Sequence, residues 1–465
     1  MSVDSGTRSR LIWGFLAQWV SKFAYTIVQL VQVPYFLHFW SAGVYGEWLV
    51  LSAIPNYLIF SNLGFGSAAL HEMTMLVAKD EIDTALSVFQ SCWWLIVAAL
   101  SASGVVVFLA VQFIPVTRIL NIHSISETDA RWVLFYLGLT ILLAQLESLM
   151  QAAYRSVGRN AFGLFINSMI VLSAFVATLV PVGLGYGPRT AALVYACTSI
   201  AGTVVLGIMT RAQISWIRYG WKSASFAEIK RLSTPAFAFM GFPLGQALNL
   251  QGTIIVVSHT VGPLAVVVFA TARTISRVAL QIVQMINITF EPEFSKSYAQ
   301  RNVGLIRTLH RRACQSALIL SGLVVAAMIA GGPWLLNHWT QGKVPPSRPL
   351  LSILLLVVII YSLWSTSSSI LVATNQHKRL AVIYVAASAV TIVATWFASL
   401  SYGLYGAAVS LLLSEILMNI YVLPTTLRIA QDSFFPFIRS FFEIPPGFHP
   451  RTLLRRLPVF RNAKP

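Results

Sequence analysis

Residues 11–39 read LIWGFLAQWVSKFAYTIVQLVQVPYFLHF, an apolar run that holds one lysine, Lys22, and no acidic residue. A helix needs roughly 20 mostly apolar residues to cross a bilayer, so this run suffices for one crossing. It is too long for the apolar core of a signal peptide, and no small-residue cleavage site follows Arg8 and Arg10. Comparable runs recur at 45–70, 87–115, 131–154, 161–183, 190–210, 232–258, 264–290, 313–337, 350–373, 380–401 and 405–427. Short polar separators divide them, such as YRSVGRN at 154–160 and TNQHKR at 374–379. The pattern predicts an all-α polytopic membrane protein of about 12 transmembrane helices.

Composition points the same way. Of 465 residues, 57% are hydrophobic and 10% charged, and mean hydropathy is +0.73. A soluble globular chain carries about a quarter charged residues. So few charges could not cover a surface facing water. Cys92, Cys197 and Cys314 lie far apart, which gives neither a disulfide framework nor a metal spacing, and they read as small packing residues. The net charge of +17 does not point to nucleic acid. The basic residues sit in loops and tail, not on one amphipathic face with interleaved aromatics.

Their placement predicts orientation. With the N-terminus inside, 24 of the 32 basic residues fall in cytoplasmic segments, and the outer loops keep only Arg118, Arg131, Arg189, Lys343 and Arg348. Positive charge favours the cytoplasmic side, so both termini are expected there. The outer loops are too short for a folded domain. Their Glu127, Asp129, His123, His259 and His338 are scattered, and no HExxH, GxSxG, Walker or CxxC pattern occurs. Neither an enzyme nor a bound cofactor or metal is expected.

A shift of about 219 residues aligns Gly43 with Gly262, Glu72 with Glu291 and Arg159 with Lys378. With a small gap, Tyr186-Gly187 meets Tyr402-Gly403. Chance similarity between apolar helices is the competing explanation, but the order and loop chemistry favour duplication. Two six-helix lobes in a parallel repeat around a central cavity are expected, an arrangement suited to alternating access. The division runs as a cytoplasmic N-terminus (1–10), a first lobe (11–210), a basic linker (211–231), a second lobe (232–427) and a basic tail (428–465).

Charge inside a bilayer is costly, so ionisable residues within spans are candidates for function. Lys22 lies in span 1, Arg273 and Arg277 one turn apart in span 8, Glu147 in span 4 and Glu415 in span 12; Glu47 lies near the outer end of span 2. Two arginines on one helix face suit a phosphate or pyrophosphate, because guanidinium donates paired hydrogen bonds to its oxygens. The bland alternative is that the cations form structural salt bridges with Glu147 and Glu415, or that Lys22 snorkels to the inner interface. Glu147 could instead pair with Arg155 or Arg159. Glu415 has no sequence neighbour to pair with, and both carboxylates are candidates for ion coupling. Amides concentrate on spans 1, 2, 7 and 8: Gln18, Gln29, Gln32, Asn56, Asn62, Gln246, Asn249, Gln251, Gln281, Gln284 and Asn287. Among these, Asn56, Asn62, Asn249 and Gln281 are expected to line a polar cavity, interhelical hydrogen bonding being the alternative. Trp13, Trp48, Trp132, Trp334 and Trp339 sit near span ends and read as interfacial anchors. The linker is expected on the anionic inner leaflet, and the tail, with FFPFIRSFF, on membrane lipids or a protein partner.

The stretch VPYFLHFWSAGVYGEWLVLSAIPNYLIFSNLGFGSAAL at 33–70 resembles the first hairpin of bacterial polysaccharide flippases. The likeness rests on Pro34, on Gly43 with Gly46 and Trp48, and on Asn62-Leu63-Gly64-Phe65-Gly66. With the twelve-span plan the resemblance runs from about Arg10 to Arg428. It implies the multidrug/oligosaccharidyl-lipid/polysaccharide exporter superfamily. It further implies movement of a polyprenyl-pyrophosphate-linked oligosaccharide across a bacterial inner membrane for surface polysaccharide such as O-antigen, with glycan-assembly proteins as candidate partners. In that family, basic residues on helices 1, 2, 7 and 8 hold the anionic headgroup. Lys22, Arg273 and Arg277 lie on such helices, whereas helix 2 offers only Asn56 and Asn62. A drug or cation antiporter of the same superfamily is the competing function. It would want acids in the first lobe, where span 1 carries Lys22. A major-facilitator carrier is disfavoured because HEMTMLVAKDEIDTA at 71–85 lacks that family's Gly/Asp/Arg-rich loop.

Overall fold

The computed structural model describes residues 5–62, 64–374 and 376–443. Helix α1 spans Ser5–Phe39, α2 Ala42–Ala53, α3 Phe65–Ala78, α4 Ile82–Phe113, α5 Val116–Leu120, α6 Glu127–Ser156, α7 Asn160–Gly183 and α8 Pro188–Gln213. The second half holds α9 Phe226–Ala247, α10 Thr253–Thr260, α11 Pro263–Ala299, α12 Val303–Trp339, α13 Arg348–Ala373, α14 His377–Ile429 and the short α15 Phe434–Arg439. Among the described residues, eight helices are long and apolar enough to cross a membrane, and the bent pair of α2 and α3 forms a ninth. The chain is a multi-pass membrane protein.

One of the expected spans is broken and another carries a π turn. The second changes at Pro55 into a 3₁₀ stretch, Pro55–Asn62, and restarts after Gly64, with a bend of 45°. Pro55 supplies no backbone N–H, which removes one bond of the helical ladder at this point. Gly64 adopts φ +79, a conformation that favours glycine. The seventh span passes through a π-helical turn, Leu248–Gly252, before α10.

Helix α14 has 53 residues, about 80 Å at 1.5 Å per residue and far longer than a bilayer core. It doubles back at Gly403, where the backbone leaves helical geometry (φ 56, ψ −136). A Cβ on Gly406 would fall 2.0 Å from the Ala398 carbonyl oxygen, an approach impossible in a straight helix. Ser388 and Ser414 both accept from the Asn249 amide, at 2.9 and 3.3 Å. The two arms are therefore antiparallel and supply spans 11 and 12.

Helices α1 to α8 pack mainly on one another, and so do α9 to α14. The halves meet along α2 with α11 and α3 with α9. Small residues make both seams. A Cβ on Gly46 would lie 2.2 Å from the Pro263 carbonyl oxygen, and one on Gly64 2.1 Å from that of Ala236. Helix α1 closes on the second half. Pro34 leaves the Leu30 carbonyl without its intrahelical donor, and the Trp339 indole N–H donates to it at 2.6 Å.

Several side chains depart from their expected roles. Trp48 is only 5% exposed and packs on Phe36 and Trp40 in the core instead of anchoring an interface. Trp339 is committed to α1, while Trp334 is exposed as an anchor would be. The linker packs partly on the bundle. Ile214 and Ile217 are buried in the first-half core, and Gln90 of α4 donates to Arg218 and accepts from Ser223. Trp221 and Phe226 of the same segment are exposed. Cys92 and Cys314 are buried and Cys197 is exposed.

Candidate functional site

Three cations meet in one cavity. Lys22 arrives on α1, Arg273 and Arg277 on α11, and they line a space of about 360 Å³ with Gln281, Gln284, Asn249 and Glu415. The arginines are four apart on one helix, so they project from the same face. Helices α13 and α14 add Tyr361, Tyr384 and Leu411.

The cations are held differently. Arg273 donates to the carbonyl oxygens of Asn249 (2.7 Å) and Leu250 (3.2 Å) in the π-helical turn. It also lies 5.7 Å from the centre of the Phe269 ring. A π turn widens the helix and presents its carbonyls sideways, a local irregularity common at functional sites. Two of the five guanidinium donors are thereby used, which orients the rest. Lys22 donates to the Gln284 amide oxygen at 3.3 Å, and Thr26 donates to Gln281 at 2.7 Å. Among the described residues Arg277 makes no hydrogen bond or ion pair.

The salt-bridge alternative finds no support among the described residues. None of the three cations lies within 4.0 Å of a carboxylate oxygen. Glu415 borders the same cavity but accepts from the Trp364 indole N–H at 2.6 Å. Glu147 lies elsewhere, in the packing of α6 on α8, where Thr203 donates to it at 2.5 Å; it pairs with neither Arg155 nor Arg159. Three formal positive charges thus face one carboxylate.

The amides separate. Gln281 and Asn249 belong to this cavity, and Asn249 also pins the α14 hairpin. Asn56 faces a different cavity in the first half and donates to the Ser52 carbonyl at 2.7 Å. The Asn62 side chain lies outside the described residues. The polar wall expected from helices 1, 2, 7 and 8 is therefore redrawn. Among the described residues span 2 contributes nothing to the cationic cavity, whereas α13 and both arms of α14 do. Sequence reasoning missed Tyr25, Tyr361 and Tyr384 on the wall. Tyr361 and Trp364 lie in mid-span of α13, not at an interface where aromatics anchor, and that misplacement was the available signal.

Beside this site lies a second opening of about 660 Å³ between α1, α11 and α12, lined almost entirely by apolar groups such as Leu30, Val31, Ile275, Val278 and Met328. Ile275 and Val278 flank Ser276 and Arg277 on α11, so apolar and cationic spaces adjoin.

No protein-family model matches the sequence, and no curated protein matches it. Solved structures do. An inward-facing multidrug resistance MATE family transporter of the MOP superfamily superimposes with a TM-score of 0.70 at 13% identity, over 89% of this chain and 95% of that one. The lipid II flippase MurJ in an inward closed conformation gives 0.65 at 14% identity, over 94% of each chain. An outward-facing MATE family transporter gives 0.61 at 12% identity, over 91% of this chain and 97% of that one. Residues 33–70 pointed to this architecture, and the chain has the fold shared by these MATE family transporters and MurJ.

Proposed function

We propose that this protein flips a polyprenyl-pyrophosphate-linked oligosaccharide from the inner to the outer leaflet of a bacterial inner membrane, with both termini cytoplasmic, by alternating access. One observation carries the reading: Lys22, Arg273 and Arg277 surround a single cavity and form no ion pair among the described residues. Unneutralised cations inside a bilayer call for an anionic ligand. Arg273, oriented by two carbonyls, and Arg277, with its donors uncommitted, suit a pyrophosphate, and Lys22 adds a point charge from α1. The adjoining apolar opening supports a lipid tail that stays in the bilayer while the headgroup occupies the cavity. The shared fold of MurJ, a lipid II flippase, supports a lipid-linked substrate in general.

The second reading, a drug or cation antiporter, is favoured by Glu415 on the same wall. A cation entering there meets three like charges for one carboxylate, so the anionic substrate ranks first. Arg273→Gln with Arg277→Gln should abolish transport in proteoliposomes while the protein remains folded and monodisperse. In cells lacking the protein, glycolipid should accumulate on the inner leaflet and surface polymer should be lost, restored by wild type but not by the double variant. Normal transport by that variant overturns the site.

A further inference from the structure

The first half holds a cavity of about 240 Å³ whose lining carries no charged side chain. We infer that this cavity is a subsite for the neutral, hydroxyl-bearing glycan of the substrate whose anionic headgroup occupies the cationic cavity, an inference that rests on the function proposed above.

The chemistry of the wall selects the ligand. Ser52, Thr140 and Thr178 each donate their hydroxyl hydrogen to a carbonyl of their own helix, at 2.7, 2.7 and 2.8 Å. What remains to a ligand is their oxygen lone pairs, which are acceptors. Gln32 also lines the space and makes no hydrogen bond among the described residues. An amide at that depth needs a partner, from protein, water or ligand. Asn56 has given one amide hydrogen to the Ser52 carbonyl. The rings of Phe36, Trp48, Phe175 and Tyr195, with apolar side chains such as Val28 and Ile141, complete the wall. A cation would find no carboxylate here, and an anion would find no cation. Acceptors, a free amide and aromatic rings without charge match a sugar, whose hydroxyls donate and whose C–H faces lie on rings.

Position joins this cavity to the cationic one. Gln29 of α1 borders the cationic cavity and Gln32 borders the uncharged one. Residues three apart on a helix are surface neighbours, so the two spaces meet along α1. A headgroup at Arg273 and Arg277 would place its first sugars toward Gln32.

The test compares two probes bound to the full chain in nanodiscs: polyprenyl pyrophosphate, and the same lipid carrying a disaccharide. The variants are Gln32→Leu and Thr140→Val, both close in volume to the originals and checked for monodispersity. Wild type should bind the glycosylated probe more tightly than the bare one. Each variant should reduce that ratio by about fivefold, the worth of one net hydrogen bond, and leave the bare lipid's affinity unchanged. If wild type binds both probes equally, or both variants keep the wild-type ratio, the subsite is overturned, while loss of bare-lipid binding in Arg273→Gln/Arg277→Gln keeps the headgroup site. If wild type binds neither probe, both readings fall together.

Discussion

Glu47 shows how single polar residues are settled inside this bundle. It is 2% exposed and accepts three backbone N–H groups, from His123, Ser124 and Ile125, at 2.7, 2.7 and 2.8 Å. These are the donors of a loop that would otherwise leave them unpaired, so the carboxylate ties the loop between α5 and α6 onto α2. In sequence it looked like one more charge near a span end, because its partners lie more than 70 residues away. Glu47→Gln replaces an acceptor oxygen with an NH₂ group facing N–H donors. The expected loss is about 1–3 kcal/mol, the usual cost of an unsatisfied buried polar group, measurable as a lower Tm in detergent. An unchanged Tm would show that the clasp contributes little. Glu147 and Glu415 follow the same logic with different partners, Thr203 and Trp364. Their depth was legible from the sequence, but which neighbour answered each was not.

Elements show local rules being obeyed until packing intervenes. The Pro55 break and the Gly403 reversal sit at residues that weaken a helix locally. The π turn at Leu248–Gly252 has no such residue at its start, and its use emerges only when Arg273 meets its carbonyls. Beyond α14 the chain turns back onto α12. Asp432, whose side chain is 3% exposed, accepts from Arg311 twice, at 2.7 and 2.6 Å. Phe437 of α15 stacks on His310 at 4.9 Å. Burial works against the charged form of Asp432, but the Arg311 bonds and the Ser433 N–H outweigh it and hold the carboxyl below the usual carboxylate range. The folded pKa is thus the lower one. Its stabilisation is present above the unfolded value of about 3.9 and is lost as pH falls through the folded value. Hydrogen exchange across residues 430–443 should therefore stay protected from pH 7 down to about 4 and rise below it. Asp432→Asn should raise exchange already at neutral pH. Equal protection in that variant would show that α15 is held by its aromatic contacts alone.

For the whole molecule, the decisive contacts are those between halves. Gly46 admits the Pro263 carbonyl and Gly64 that of Ala236, and both glycines belong to the stretch that carries the family resemblance. At the end of the bundle that bears α9's first turn, Arg231 bridges the halves by pairing with Glu72 of α3 at 2.6 Å as well as with Glu228. That bridge is half-exposed and should be worth little by itself. Gly46 has no such latitude, because a backbone oxygen cannot yield to a Cβ at 2.2 Å. Gly46→Val should separate α2 from α11. Spin labels placed across that seam should report a longer distance, and transport should fall at least tenfold. Labels at wild-type spacing would show that the seam tolerates a side chain.

The sequence alone determined that the chain is a multi-pass membrane protein, where its long apolar runs fall, and which charges lie within them. Those properties are set by local apolarity and by the cost of burying charge, and both can be summed along the chain. Tertiary structure decided the rest. It gathered Lys22, Arg273 and Arg277 and excluded Asn56 from their cavity. It replaced the imagined salt bridges with indole, hydroxyl and carbonyl partners, and brought tyrosines from α1, α13 and α14 to the wall. Such choices depend on which helix faces meet across more than 200 residues of chain, and apolarity, being directionless, carries no record of them.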